Sequence, residues 1–465
     1  MNRLQSNCLI GALIMAAAAG LFFLLTTWHN PSLKPQETVH QKQVCVQPTD
    51  LRSLSAVPQD PGRFAAAMTE SLNPVEQQQL EQHFHRDYFT PWTASAPLFD
   101  GNMVYTSLQQ LTHSTWYGEN RLPIEPARLQ SLLMLADMEQ FPSMHEPGIV
   151  TRPAFIRVLP TTRPLYKTPD DFPFDRLQFA EIKPNEPVRL LHTSKDGAWL
   201  YVETAYANGW VEPDAVRRVD TAQREQILHA EQVVIVRDFV KVQSEDGDIL
   251  PQPKIGSLYS LIREEPEYWL VKAAVTGKDR YAVITSVRIA KTDARRHPLH
   301  FSPENVTLIS AELLKTPYGW GEIYRNRDCS ATTRDFFLTF GILLPRNSYQ
   351  QITSGPSISL SNLSNTDKKA RLRELGIPFR TLLYHKGHIM LYAGLFAEQP
   401  VVLHTAWALP YKEPGCTEQL FILGKTLFTT LTAGEELPLV KGTSLDRLDS
   451  MLILPHYEQT GAKPD

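Results

Sequence analysis

Thr316-Pro-Tyr-Gly-Trp-Gly321, then Asp328-Cys-Ser330, then an apolar run closing at Gly341 is the stretch that decides the reading of this chain. The spacing predicts a helix from Cys329 to Phe340, with Cys329, Thr333, Phe336, Phe337 and Phe340 on one face. Asp328 is the natural N-cap and Gly341 the natural stop. A thiol in the first helical turn faces unpaired N–H groups and the positive end of the helix dipole. That placement favours thiolate.

Two histidines follow, in Lys386-Gly-His-Ile-Met-Leu-Tyr-Ala-Gly394 and Val401-Val-Leu-His404. Both stretches read as strands. Their side chains share a face only if the numbers of paired residues sum to an even value, because a one-residue slip reverses every side chain. In that register Cys329 is the nucleophile, His388 the general base and His404 the residue that orients it. The backbone N–H at the helix start and the Tyr318 hydroxyl are candidate oxyanion donors. Taken singly, each residue has a plainer reading: a small buried hydrophobe for Cys329, a core imidazole for either histidine, a helix cap for Asp328. Only the joint pattern points to chemistry. Zinc is the competing use of one cysteine and two histidines, but no Cys-x-x-Cys or His-x-x-x-His pair supplies close ligands. No metal or cofactor is expected.

Upstream, the hydrophobic period divides the chain. Residues 1–28 hold an apolar run from Cys8 to Trp28 with Arg3 as the one charge before it, a signal peptide or signal-anchor. Residues 29–62 read as a linker. Residues 63–150 turn helical, with amphipathic stretches at Glu76–His85 and Ala127–Ala136. From 151 the period drops to two. Val188–His192, Trp199–Val202 and Gly209–Val211 read as strands with Asp196-Gly197 and Asn208-Gly209 as turns. A weaker copy follows, in which Tyr268-Trp-Leu-Val271 answers Ala198-Trp-Leu-Tyr-Val202 and Asp246-Gly247 is the turn. Two small β-barrels at 151–218 and 219–300 account for this, and one larger irregular β domain is the alternative. Residues 301–465 read as α+β.

A net charge of −4 excludes a nucleic-acid footprint. Of the four cysteines, Cys8 lies in the apolar run, which leaves Cys45, Cys329 and Cys416. A free Cys329 suits a nucleophile, and Cys45 and Cys416 either pair or stay free.

Pro317-Tyr-Gly-Trp-Gly-Glu322, Asp328-Cys-Ser-Ala331, Gly387-His-Ile389, His404 and Leu344-Pro-Arg-Asn-Ser-Tyr-Gln350 together resemble the NlpC/P60 family of cell-wall peptidases over roughly residues 305–455. Phe174–Gln178, Ser194–Trp199 and Gly209–Val211 resemble the first barrel of a subgroup in which a helical stabilising domain and two bacterial SH3-like domains precede a papain-like α+β peptidase domain. The resemblance implies an exported γ-D-glutamyl-L-diamino-acid endopeptidase acting on peptidoglycan stem peptides or muropeptides in the periplasm or cell envelope. A membrane anchor through residues 8–28 is consistent with it. It implies that Asp328 and Ser330 help recognise substrate beside the scissile bond, and that the SH3-like domains limit which stem peptides fit. Two family glycines are replaced, by Glu322 and Ala331. The functions in competition are a non-catalytic wall-binding protein and an amidase or acyltransferase on another amide.

Overall fold

The nucleophile segment folds as its residues dictate. Asp328 is extended, its carboxylate accepts from the Ala331 N–H, and the helix runs Cys329–Thr339. Such a cap contributes about 1 kcal/mol. Gly341, at φ +82°, ends it in the left-handed region where only glycine is unstrained. The computed structural model describes residues 45, 47–68, 72–100, 108–277 and 279–455. The apolar run at 8–28 lies outside them. No helix among the described residues is long and apolar enough to cross a membrane.

The helix packs on a six-stranded antiparallel sheet in the order Ile358–Ser359, Ser450–Ile453, Thr381–His385, His388–Phe396, Gln399–Tyr411, Gln419–Thr430. Phe336, Phe337 and Phe340 are fully buried between this sheet and the Pro303–Leu313 helix. Each buried phenylalanine contributes about 1.5–3 kcal/mol.

The β-rich middle is a true repeat. Seven strands between Glu146 and Arg218 and seven between Gln232 and Arg296 form two antiparallel sheets. Numbered by position within its own sheet, each has the order third, second, sixth, fifth, fourth, first, seventh. Trp269 lies in the fifth strand of its sheet, and Trp199 directly precedes the fifth strand of the other. The ladders are open sheets, consistent with the two SH3-like β units expected. Asn208-Gly209 is not a turn: both residues begin the strand Asn208–Val211, and the reversal is made by Thr204–Ala207, with Thr204 N–H donating to Ala207 O at 2.7 Å. Gly209 is required because a Cβ there would lie 2.6 Å from Arg157 O.

The described residues of the N-terminal segment pack into clusters shared with the later domains. The helix Pro74–Tyr88 forms as expected, with an Asn73/Glu76 capping box. Phe64 meets Phe428 at 4.6 Å between ring centroids, and Phe84 meets His297 at 4.5 Å. Trp116 and Leu129 instead join a cluster with Leu177, Tyr201 and Trp210 of the first sheet. The sheet itself starts at Glu146, so the boundary drawn at 150 cuts through it. The linker reading fails beyond Leu51. Leu51 and Val57 are buried, Arg52–Ser55 and Pro61–Ala65 are helical, and Gln59 exchanges hydrogen bonds with the backbone of Phe428 at 2.8 Å each way.

Candidate active site

Leu391 pairs with Leu403 and Tyr392 with Val402, so partners sum to an even number and the two histidines share a face. His388 Nε2 lies 2.8 Å from His404 Nδ1, with ring centroids 5.1 Å apart and planes at 68°. His404 Nε2 lies 3.1 Å from Thr429 Oγ1 on the next strand. One proton arrangement suits base catalysis. If His404 Nε2–H donates to Thr429, then His404 Nδ1 accepts from His388 Nε2–H, and His388 Nδ1 keeps its lone pair.

Cys329 is the free thiol among the described residues, whereas Cys45 and Cys416 are each disulfide-bonded. The thiol is half-buried and interacts with the backbone N–H of Ile389, the residue after His388. The expected thiolate is not favoured. Burial pushes the Cys329 thiol up to about 12, and the Asp328 carboxylate adds to this, against the pull of the Ile389 N–H and Arg346. Burial, reinforced by His404 and His385, holds His388 well below the ordinary imidazole value, and burial takes His404 down to about 3. Thiol and imidazoles are therefore neutral near pH 7.

Asp328 does more than cap. Its Oδ2 accepts from Gly321 N–H at 3.0 Å and from Arg346 at 2.8 Å, and its Oδ1 accepts from Ser330 Oγ and Arg346, both at 3.1 Å. Arg346 also donates to Ser330 Oγ at 2.8 Å. Arg346 appeared in the sequence only as part of a resembling segment; a lone guanidinium after Ile342-Leu-Leu-Pro345 was the available signal.

Glu322, at the replaced glycine, is fully buried and receives both arms of Arg334 at 2.7 and 3.0 Å, with Arg346 Nε at 3.1 Å. Burial alone would raise this carboxyl, but Arg334 and Arg346 outweigh it and hold Glu322 at about 2. The network reaches both β sheets. Lys183 meets Asp335 at 2.5 Å, Arg327 meets Asp335 at 2.8 Å and Asp238 at 2.8 Å, Arg325 meets Glu181 at 2.7 Å, and Lys254 meets Glu181 at 2.7 Å.

Tyr318 is fixed by its N–H to Gly424 O at 2.8 Å. Burial, then the charges of Asp328 and Cys329, raise its hydroxyl strongly, so it stays a proton donor. Its ring is 5.6 Å from that of Trp407 and 6.5 Å from that of Phe174. Trp320 donates to Asp175 O at 2.8 Å, and Arg176 lies 5.3 Å over its ring. The first β sheet thus supplies one wall beside Tyr318, and Trp407, at a bulge in its strand, supplies another. These wall residues carried no motif. Among the described residues no group of three or more His, Cys, Asp or Glu side chains could hold a metal ion.

Residues 315–406 match the NlpC/P60 family, residues 17–141 the N-terminal stabilising domain of NlpC/P60 proteins, and residues 164–212 an SH3 domain of the SH3b1 type. The chain carries an NlpC/P60 domain preceded by the stabilising domain of NlpC/P60 proteins. No curated protein matches it. In structure it is similar to an NlpC/P60 endopeptidase from Photobacterium damselae subsp. piscicida, at a TM-score of 0.75 and 22% identity over 86% of this chain and 97% of that one. A Bacillus cereus NlpC/P60 family protein aligns at a TM-score of 0.39 and 15% identity over 60% of this chain and 83% of that one. The NlpC/P60 architecture is multi-domain α+β, with a helical N-terminal region, SH3-like β sheets and the peptidase domain in chain order. The NlpC/P60 domain implies peptidase activity and a site of action in the cell wall.

Proposed function

We propose that this NlpC/P60 protein is an exported peptidoglycan hydrolase that cleaves the γ-D-glutamyl–diamino acid bond of stem peptides, with Cys329, His388 and His404 as its catalytic triad. The His388–His404 hydrogen bond of 2.8 Å, next to the Ile389 N–H that meets the Cys329 thiol, is the observation that carries this reading. The Cys329 sulfur attacks the γ-carbonyl of D-glutamate while His388 takes its proton. The new C–S bond gives a tetrahedral oxyanion, held by the N–H at the start of the helix and by the Tyr318 hydroxyl. Collapse breaks the C–N bond, and the imidazolium of His388 hands its proton to the departing amine. Water, deprotonated by His388, then hydrolyses the thioester. His404 orients His388 and fixes its tautomer, as Thr429 does for His404.

Because thiol and imidazole begin neutral, transfer is concerted with attack rather than from a preformed ion pair. Asp328 and Ser330 bind the free amine of an N-terminal L-alanine, and the amine shares Asp328 with Arg346. The apolar run at 8–28 supplies export to the periplasm or envelope, as leader or as anchor. The N-terminal helical segment and the two SH3-like domains that follow it brace the peptidase domain.

Product analysis by mass spectrometry tests the bond assignment. With L-Ala-γ-D-Glu-diaminopimelate, free diaminopimelate and L-Ala-D-Glu are expected. Release of alanine instead, or no product at all, contradicts the assignment, and the second outcome favours a wall-binding protein without catalysis.

A further inference from the structure

A cavity of about 360 Å³ opens where the two SH3-like domains meet, and no residue of the peptidase domain lines it. It falls at the lower end of the roughly 300–1,000 Å³ that holds a small ligand. Leu190, Leu200 and Val216 supply apolar lining, and Arg217, Arg218 and Arg280 supply cationic lining. The joint beside it is made by backbone. Arg218 N–H donates to Arg280 O at 2.9 Å, and Arg218 pairs with Tyr281 in an isolated parallel bridge. Arg280 takes φ +63°, a left-handed conformation that costs a non-glycine residue of order 1–3 kcal/mol. Such outliers collect at ligand clamps.

The charges around the cavity do not balance. Arg218 is paired with Glu146, and Asp214, the one acidic residue of the lining, is held by Arg152. Arg217 has no carboxylate among the described residues. Its Nη1 donates to the carbonyl oxygens of Pro213 and Val216, both at 2.9 Å, and its Nε is buried with no acceptor. The Arg280 side chain is exposed and has no hydrogen bond or ion pair among the described residues. The chain as a whole has 50 acidic residues against 46 lysines and arginines, so this surplus of positive charge is local.

Two guanidinium groups, one from each SH3-like domain, thus border one cavity without a counter-charge. A guanidinium presents a planar fork of donors that matches an oxyanion. A phosphate group offers more acceptor oxygens than a carboxylate and can accept from both arginines at once.

We infer that the joint between the SH3-like domains is a phosphate-binding site, in which Arg217 of the first domain and Arg280 of the second clamp one phosphorylated ligand while the apolar lining takes its uncharged part. The site is separate from the triad and stands independently of the peptidase reading.

Calorimetric titration of the full chain with inorganic pyrophosphate tests it. Saturable binding is expected, weakened at least tenfold in Arg217→Gln and in Arg280→Asn; asparagine tolerates the left-handed backbone at position 280. Arg263→Gln removes an exposed arginine outside the cavity and should leave binding unchanged. Where Arg217→Gln lowers the thermal midpoint, Arg280→Asn carries the comparison, because its side chain is exposed.

Sedimentation with phosphatidylglycerol vesicles, against phosphatidylcholine vesicles as reference, separates the two sources of such a phosphate. Excess pelleting with phosphatidylglycerol that Arg280→Asn abolishes assigns a lipid headgroup, and pyrophosphate binding without it assigns a soluble phosphate. Binding of neither overturns the inference. So does binding that Arg280→Asn leaves intact, or that Arg263→Gln weakens as much, since diffuse charge would then account for it.

Discussion

At the residue scale the decisive fact is that Cys329 and His388 are pushed in opposite directions by one cause. Removal from water disfavours the thiolate and the imidazolium alike. The helix N-terminus, which the sequence suggested would favour thiolate, is occupied by Asp328, whose charge opposes it. Arg346 partly cancels that charge by holding Asp328 through both oxygens. The pH profile follows. The active form carries neutral His388, whose proton is lost below its ordinary value of 6.5. kcat/KM should therefore rise with pH, finish rising before 6.5, and stay level through neutrality into the alkaline range, because the thiol pushed up to about 12 does not ionise there. A bell with its maximum near neutrality and a fall by mildly alkaline pH would indicate a thiolate–imidazolium pair instead.

At the scale of the element, the Trp320–Arg325 segment holds three non-glycine residues in the left-handed region. Glu322, Tyr324 and Arg325 have φ of 66°, 59° and 61°, a conformation that costs a non-glycine residue of order 1–3 kcal/mol. Buried pairs hold it: Glu322 with Arg334, and Arg325 with Glu181. Gly321 lies so close to the first sheet that a Cβ would sit 2.5 Å from Gln178 O. Gly321→Ala should lower stability by about 1–3 kcal/mol, read as a lower thermal midpoint. An unchanged midpoint would mean that this contact is not made.

The nucleophile helix and the two histidine strands were legible because period and punctuation specify them: Asp328 starts, Gly341 stops, and alternation places His388 and His404. The segment at 320–325 was not, because its fold is set by partners distant in sequence. Arg334 and Asp335 look like the solvent face of an amphipathic helix, yet both are fully buried, Arg334 against Glu322 and Asp335 against Arg327 and against Lys183 of the first β-rich domain. Asn208-Gly209 misled for the same reason, since glycine there answers a close backbone and not a turn.

At the scale of the whole molecule, the described residues from 47 onward form one compact unit joined by buried charges. Glu186 is its weak point. Its Oε2 accepts from Lys183 N–H at 3.0 Å and Tyr206 OH at 3.1 Å, and its Oε1 has no partner. Burial raises this carboxyl from 4.5 to about 7. The native state then binds the proton more tightly than the unfolded chain, so stability falls as pH rises from 4.5 through 7. Glu186→Gln should raise the unfolding midpoint at pH 8, by up to roughly 3 kcal/mol, and leave it unchanged at pH 4. An equal shift at both values would contradict the protonation argument.

The account stands on sulfur chemistry at position 329. Hydrolysis of L-Ala-γ-D-Glu-diaminopimelate by the unaltered chain and by Cys329→Ala, compared at equal concentration, tests it most directly. A fall of more than about a thousandfold with the fold intact by circular dichroism is the predicted result. Residual hydrolysis within tenfold of the unaltered chain would contradict it.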